Sequence, residues 1–93
     1  MIVELIQTCP AFPEQYDGYI DGEKVAYLRL RHRWFRAEYL GKVVFTSEPN
    51  GDGAFDDSER AQQLNAACDA IINEHRKREE PRSYKIVSEV ITK

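Results

Sequence analysis

Tyr16-Asp17-Gly18-Tyr19-Ile20-Asp21-Gly22-Glu23-Lys24-Val25-Ala26-Tyr27-Leu28-Arg29-Leu30-Arg31 decides the architecture. Asp21-Gly22 is a pair that tolerates positive φ at both positions, as a two-residue hairpin turn demands, so strands are expected over Tyr16 to Ile20 and Glu23 to Arg31. Side chains alternate across a strand. Ala26, Leu28 and Leu30 therefore share one face, read as inward. Val25, Tyr27, Arg29 and Arg31 share the other.

The same reading extends in both directions. Ile2 to Thr8 is a β-rich segment stopped by Cys9-Pro10, and Ala11-Phe12-Pro13-Glu14 is expected to be irregular because each proline removes a donor. A reversal near His32-Arg33 leads into Trp34 to Leu40, and Gly41-Lys42 turns the chain into Val43 to Ser47. From Asp56 the period changes to that of a helix, with Ala61, Leu64, Ala67, Cys68, Ile71 and His75 recurring on one face. Asp56 as N-cap with Glu59 three residues later makes a box-like cap; His75, Arg76, Lys77 and Arg78 suit the other end of the helix dipole, and Pro81 closes it. Tyr84 to Thr92 alternates as a last strand, beside the first or at a sheet edge. The expected fold is α+β: an antiparallel meander of five to six strands with one long helix packed on one face, residues 1–93 forming a single domain.

Composition limits the function classes. The chain has 93 residues, 42% hydrophobic and 31% charged, with net charge −3. It is neither as polar as a disordered chain nor as apolar as a membrane span, and one modest core leaves little to line a deep pocket. Met1 to Gln7 has no basic segment and is interrupted by Glu4, unlike a secretory signal, so a cytoplasmic location is expected. Cys9 and Cys68 lack the spacing of zinc ligands or a redox pair and read as reduced thiols. No serine lies in a nucleophile-elbow pattern, no acid pair is marked out for glycoside chemistry, and neither cysteine has support as a nucleophile. A protein without enzymatic activity or cofactor is expected.

The net charge conceals a separation. Arg29-Leu30-Arg31-His32-Arg33-Trp34-Phe35-Arg36 carries +4, and the remainder carries −7. Arginine beside tryptophan is enriched at binding hot spots, because guanidinium pairs bidentately with carboxylates and indole supplies rigid contact area. Arg29, Arg31, Arg33, Trp34 and Arg36 are thus one candidate partner-binding surface. The alternative is a solvated face whose arginines pair with Asp17, Glu23 or Glu38 across the sheet. Asp52 and Asp57 mark a second candidate surface, suited to a basic groove as a nucleic-acid mimic would be. The overall acidity disfavours direct nucleic-acid binding.

Glu48-Pro49-Asn50-Gly51-Asp52-Gly53-Ala54-Phe55-Asp56-Asp57-Ser58-Glu59 resembles the twelve-residue calcium loop of the EF-hand family. That resemblance implies Ca2+ held by Glu48, Asn50, Asp52, the Ala54 carbonyl, Asp56 and a bidentate Glu59, with Gly53 at the turn. It departs from the family in Glu48, in Pro49, in the incoming strand and in lacking a second loop. An Asn-Gly/Asp-Gly connection ahead of an acidic helix cap explains the same residues without metal. In topology, the hairpins followed by a glycine-containing turn, long helix and strand are also similar to the core of the GNAT acetyltransferases. This implies coenzyme A pyrophosphate on the turn Asn50-Gly51-Asp52-Gly53-Ala54, although the family's phosphate-binding pattern is missing and Asp52, Asp56 and Asp57 would repel a diphosphate.

Glu14-Gln15-Tyr16-Asp17-Gly18-Tyr19-Ile20-Asp21-Gly22-Glu23-Lys24-Val25, with Tyr27 to His32 and Gly51 to Asp57, resembles small proteins encoded by bacteriophages and prophages. The resemblance covers about two thirds of the chain and carries no assigned chemistry. It implies an accessory protein acting by stoichiometric binding in the cytoplasm of a bacterial host, on a host or defence factor, as CRISPR inhibitors do. The leading expectation is a small protein-binding, regulatory or inhibitory module. The alternatives are a calcium-binding module and a degenerate acetyltransferase fold. Unpaired edges on the first and last strands leave a homodimer open.

Overall fold

The computed structural model describes residues 1–9 and 12–79. Five strands, β1 (Glu4–Cys9), β2 (Glu14–Ile20), β3 (Glu23–Arg31), β4 (Trp34–Tyr39) and β5 (Lys42–Ser47), precede one helix, α1 (Asp57–Glu79). The strands form one antiparallel sheet in chain order, β1-β2-β3-β4-β5, and α1 packs on β4 and β5, giving the expected α+β architecture. The expected strand over Tyr84 to Thr92 lies outside the described residues.

The turns follow from backbone sterics. Asp21 and Gly22 have φ of 52° and 82°, the double positive φ that lets a two-residue turn match the twist of its strands. The fourth reversal falls on Leu40-Gly41, with φ of 48° and 85°, rather than on Gly41-Lys42. Tyr39 and Lys42 are the last paired residues, so the two between them must take the turn. Glu14 belongs to β2 and pairs with Leu30 instead of lying in an irregular stretch; its N–H donates to the Gly53 carbonyl at 2.7 Å.

Two local irregularities alter the simple alternation. Gly18 pairs with Ala26 but Tyr19 pairs with Lys24, so Val25 is an extra residue in β3. A bulge places consecutive side chains toward one side, and Val25 is buried beside Ala26 rather than facing outward with Tyr27. Ala61 is exposed, contrary to the expected helix stripe. It stands about 100° around the helix from Arg60, and Arg60 is the residue turned toward the sheet by Glu14. The packed stripe runs through Leu64, Ala67 and Ile71 to His75.

The core lies between this stripe and the inner sheet face. Leu28, Leu30, Phe35, Ala37, Ala67 and Ile71 are wholly buried. Each large one contributes about 1.5–3 kcal/mol relative to exposure. Phe35 is the hub: its ring meets Phe55 edge-on at 4.8 Å and Phe45 at 5.9 Å, linking β4 to the loop ahead of α1 and to β5. Among the described residues α1 covers one side of the sheet, and the outer face of β2, β3 and β4 carries polar and charged side chains together with Tyr19, Tyr27 and Trp34.

Candidate functional site

On that outer face β3 and β4 set Arg29 directly opposite Arg36, Arg31 opposite Trp34, and Tyr27 opposite Glu38. Like charges directly opposed across an antiparallel pair destabilise it. Arg36 reaches Glu38 on its own strand at 3.1 Å, and Asp17 is taken by Lys24 at 3.4 Å. Among the described residues, no acidic side chain pairs with Arg29, Arg31 or Arg33. Among the described residues the expected neutralisation across the sheet is therefore missing, and the one arginine of the hairpin that is paired, Arg36, is paired along its own strand. Trp34 is 48% exposed, and a depression of about 180 Å3 is lined by Arg29, Arg31, His32, Trp34 and Arg36. Arg33 projects from the turn and is exposed but is not part of this lining.

The acidic loop is built by two buried carboxylates. Glu59 accepts the backbone N–H groups of Asn50 at 2.9 Å, Gly51 at 2.8 Å and Asp56 at 3.0 Å. The last is the reach-back half of a capping box, while the Asp56 carbonyl accepts the Glu59 N–H at 3.0 Å. The backbone bonds, that from Asn50 first, hold the Glu59 carboxyl below the usual range. Glu59, the bidentate ligand of the calcium reading, thus has both oxygens engaged with the chain itself. Glu48, Asn50, Asp52 and Asp56 are exposed around it. Gly51 is required sterically, since a Cβ there would lie 1.9 Å from the Ala54 carbonyl oxygen.

Glu14 performs the second fastening. Only 3% exposed, its carboxylate accepts the Phe55 N–H at 2.9 Å, Arg60 Nε at 2.9 Å, Arg60 Nη2 at 3.2 Å and the Tyr16 hydroxyl. Burial pushes the Glu14 carboxyl upward, but the Arg60, Tyr16 and Phe55 bonds together outweigh it and hold the group below its ordinary value. Burial and the Glu14 bond push the Tyr16 phenol up to about 12. Asp57, half of the expected acidic surface, is fully exposed and pairs with Arg60 at 2.7 Å in the first helical turn.

These fastenings bring the other half, Asp52, beside the basic hairpin. The Gly53 N–H donates to the His32 carbonyl at 2.6 Å, and a cleft of about 450 Å3 opens between Phe12, Pro13, Arg31, His32, Asp52 and Gly53. Phe12 is 71% exposed and its ring lies over Gly53, where a Cβ would approach its Cδ1 to 3.1 Å. Phe12 and Glu14 were not among the candidates suggested by sequence. An aromatic side chain next to a strand-breaking proline was the available signal for Phe12; nothing local distinguishes Glu14 from a surface acid.

His75 holds structure. His75 Nδ1 and the Tyr39 hydroxyl are 2.7 Å apart, with Arg78 Nη1 donating to the same hydroxyl at 3.1 Å, so the helix is fixed to β4 by a buried polar contact. Cys9 and Cys68 are free thiols, and burial raises the Cys68 pKa. Among the described residues no group of three or more His, Cys, Asp and Glu side chains could hold a metal, and no helix is long and apolar enough to cross a membrane. No family model, curated protein or solved structure matches this chain, so the reading of the site rests on its geometry.

Proposed function

We propose that this chain is a non-enzymatic protein-binding module, regulatory or inhibitory in action, which engages an acidic protein surface through Arg29, Arg31, Trp34 and Arg36. The observation that carries this reading is the direct opposition of Arg29 and Arg36 beside a half-exposed tryptophan. Glu38 compensates Arg36 alone, and an arrangement that leaves Arg29 opposed to it with no acidic partner among the described residues is expected where a ligand supplies the rest of the compensation. A carboxylate accepts guanidinium bidentately, and desolvation by the indole strengthens the pair. Support for a binding rather than catalytic role comes from the interior: Glu14, Glu59 and His75, the buried charged or polar side chains among the described residues, all hold structural bonds. Stoichiometric action on a host or defence factor fits the resemblance to phage accessory proteins.

The test is affinity capture from a bacterial host, followed by purification of the captured protein and measurement of its affinity for three forms of the chain. The double variant Arg29→Glu/Arg36→Glu, shown folded by circular dichroism, is expected to lose binding about a hundredfold, whereas Asp57→Lys retains it. Binding unaffected by the arginine reversals would remove this surface from the function.

A further inference from the structure

We propose that the Arg29/Arg31/Arg36 depression and the Phe12 cleft form one groove for an extended acidic peptide segment that carries an aromatic or large aliphatic residue beside its carboxylates. This rests on the protein-binding reading above. The two depressions share Arg31 and His32 in their linings, so they adjoin at the tip of the β3–β4 hairpin. Their chemistry differs. One side presents three guanidinium groups around Trp34; a carboxylate bound there relieves the repulsion between Arg29 and Arg36.

The other side, about 450 Å3, is walled by the Phe12 ring, Pro13 and the backbone of Gly53, space suited to a large apolar side chain. Asp52 stands at this cleft with Arg31 and offsets its attraction for a carboxylate, whereas the depression beside Trp34 is lined, among the described residues, by three arginines and no acid. Asp52 thereby fixes the register of the ligand, with the acids toward Trp34 and the apolar residue toward Phe12. A single-stranded nucleic acid would satisfy the arginines equally and has bases to stack on Phe12 or Trp34, but its backbone carries charge past Asp52. The groove therefore favours a peptide.

Trp34 is the chain's one tryptophan, so its emission reads occupancy directly. The probes are two capped, extended peptides of glutamate that differ at one central position, Phe against Ala, with a thymidine oligonucleotide as the third probe, all titrated at low salt. The Phe peptide is expected to bind about tenfold more tightly than the Ala peptide. Phe12→Ala is expected to abolish that difference while leaving the Ala peptide's affinity unchanged, and Arg29→Gln/Arg36→Gln to weaken both peptides. Equal affinity of the two peptides would overturn the two-part groove and leave the acidic-partner reading standing. Failure of both peptides to perturb Trp34 would overturn both readings, as would tighter binding of the oligonucleotide, which would assign the groove to nucleic acid.

Discussion

The Gly53 N–H donates to the His32 carbonyl at 2.6 Å, and this bond joins the acidic loop to the basic hairpin. The Gly53 carbonyl in turn accepts the Glu14 N–H at 2.7 Å, so one residue ties the hairpin tip to the start of β2. Both bonds need Gly53 at a φ of +84°, a conformation that costs other residues about 1–2 kcal/mol.

Gly53→Ala is accordingly expected to lower stability by about 1–2 kcal/mol, with Phe12 displaced by the new methyl group. Gly51→Ala should be worse, by about 3 kcal/mol or more, because its Cβ would overlap the Ala54 carbonyl and only a backbone shift relieves that. Urea denaturation of both variants gives the comparison. A Gly51→Ala variant milder than Gly53→Ala would contradict the loop geometry.

Arg60 and Glu14 should respond unequally to truncation. Arg60→Ala leaves a carboxylate that is 3% exposed without its cation, at a cost of about 3 kcal/mol. Glu14→Gln leaves a guanidinium that is 36% exposed and accessible to water, at about 1–2 kcal/mol. A double-mutant cycle by chemical denaturation measures the coupling, and the reverse order of costs would show that the carboxylate is not the buried partner.

Acid should loosen the fold in a defined direction. Glu14 and Glu59 are held below their ordinary 4.5, so near that pH the unfolded chain binds more protons than the folded one. Their contribution is complete above pH 4.5 and disappears as pH falls through the lower folded-state values. At the alkaline end the sign reverses: Tyr16 loses its proton near 10 when unfolded and near about 12 when folded, so its contribution fades across that interval. Melting temperatures across pH should fall at both ends, and Tyr16→Phe should flatten the alkaline fall. An alkaline limb identical in wild type and Tyr16→Phe would show that Tyr16 does not contribute there.

Leu40 offers a stabilising change. It holds a φ of 48° while 54% exposed, so the fold bears left-handed strain with little burial in return. Leu40→Asn creates an Asn-Gly turn suited to this hairpin and should raise stability by about 1 kcal/mol. Thermal melting checks it; a lower midpoint would mean that the Leu40 side chain contributes more packing than strain.

Alternation around Asp21-Gly22 was sufficient for the β2–β3 hairpin, and the change of period with the Asp56–Glu59 cap was sufficient for α1, because these are interactions between near neighbours. The same local rules located the arginines and the acidic loop as chemistry. They mislocated Val25 and Ala61, because a bulge in β3 and the pull of Glu14 on Arg60 depend on partners far along the chain. What the sequence by itself determined was the set of strands, the helix and the separation of charge. Tertiary structure alone decided that Asp52 and Arg31 line one cleft while Asp57, still exposed, pairs with Arg60. That choice was made by Glu14, Glu59 and Gly53, whose bonds close a loop across the sheet end and fix by hydrogen bonding what charge pattern alone leaves apart.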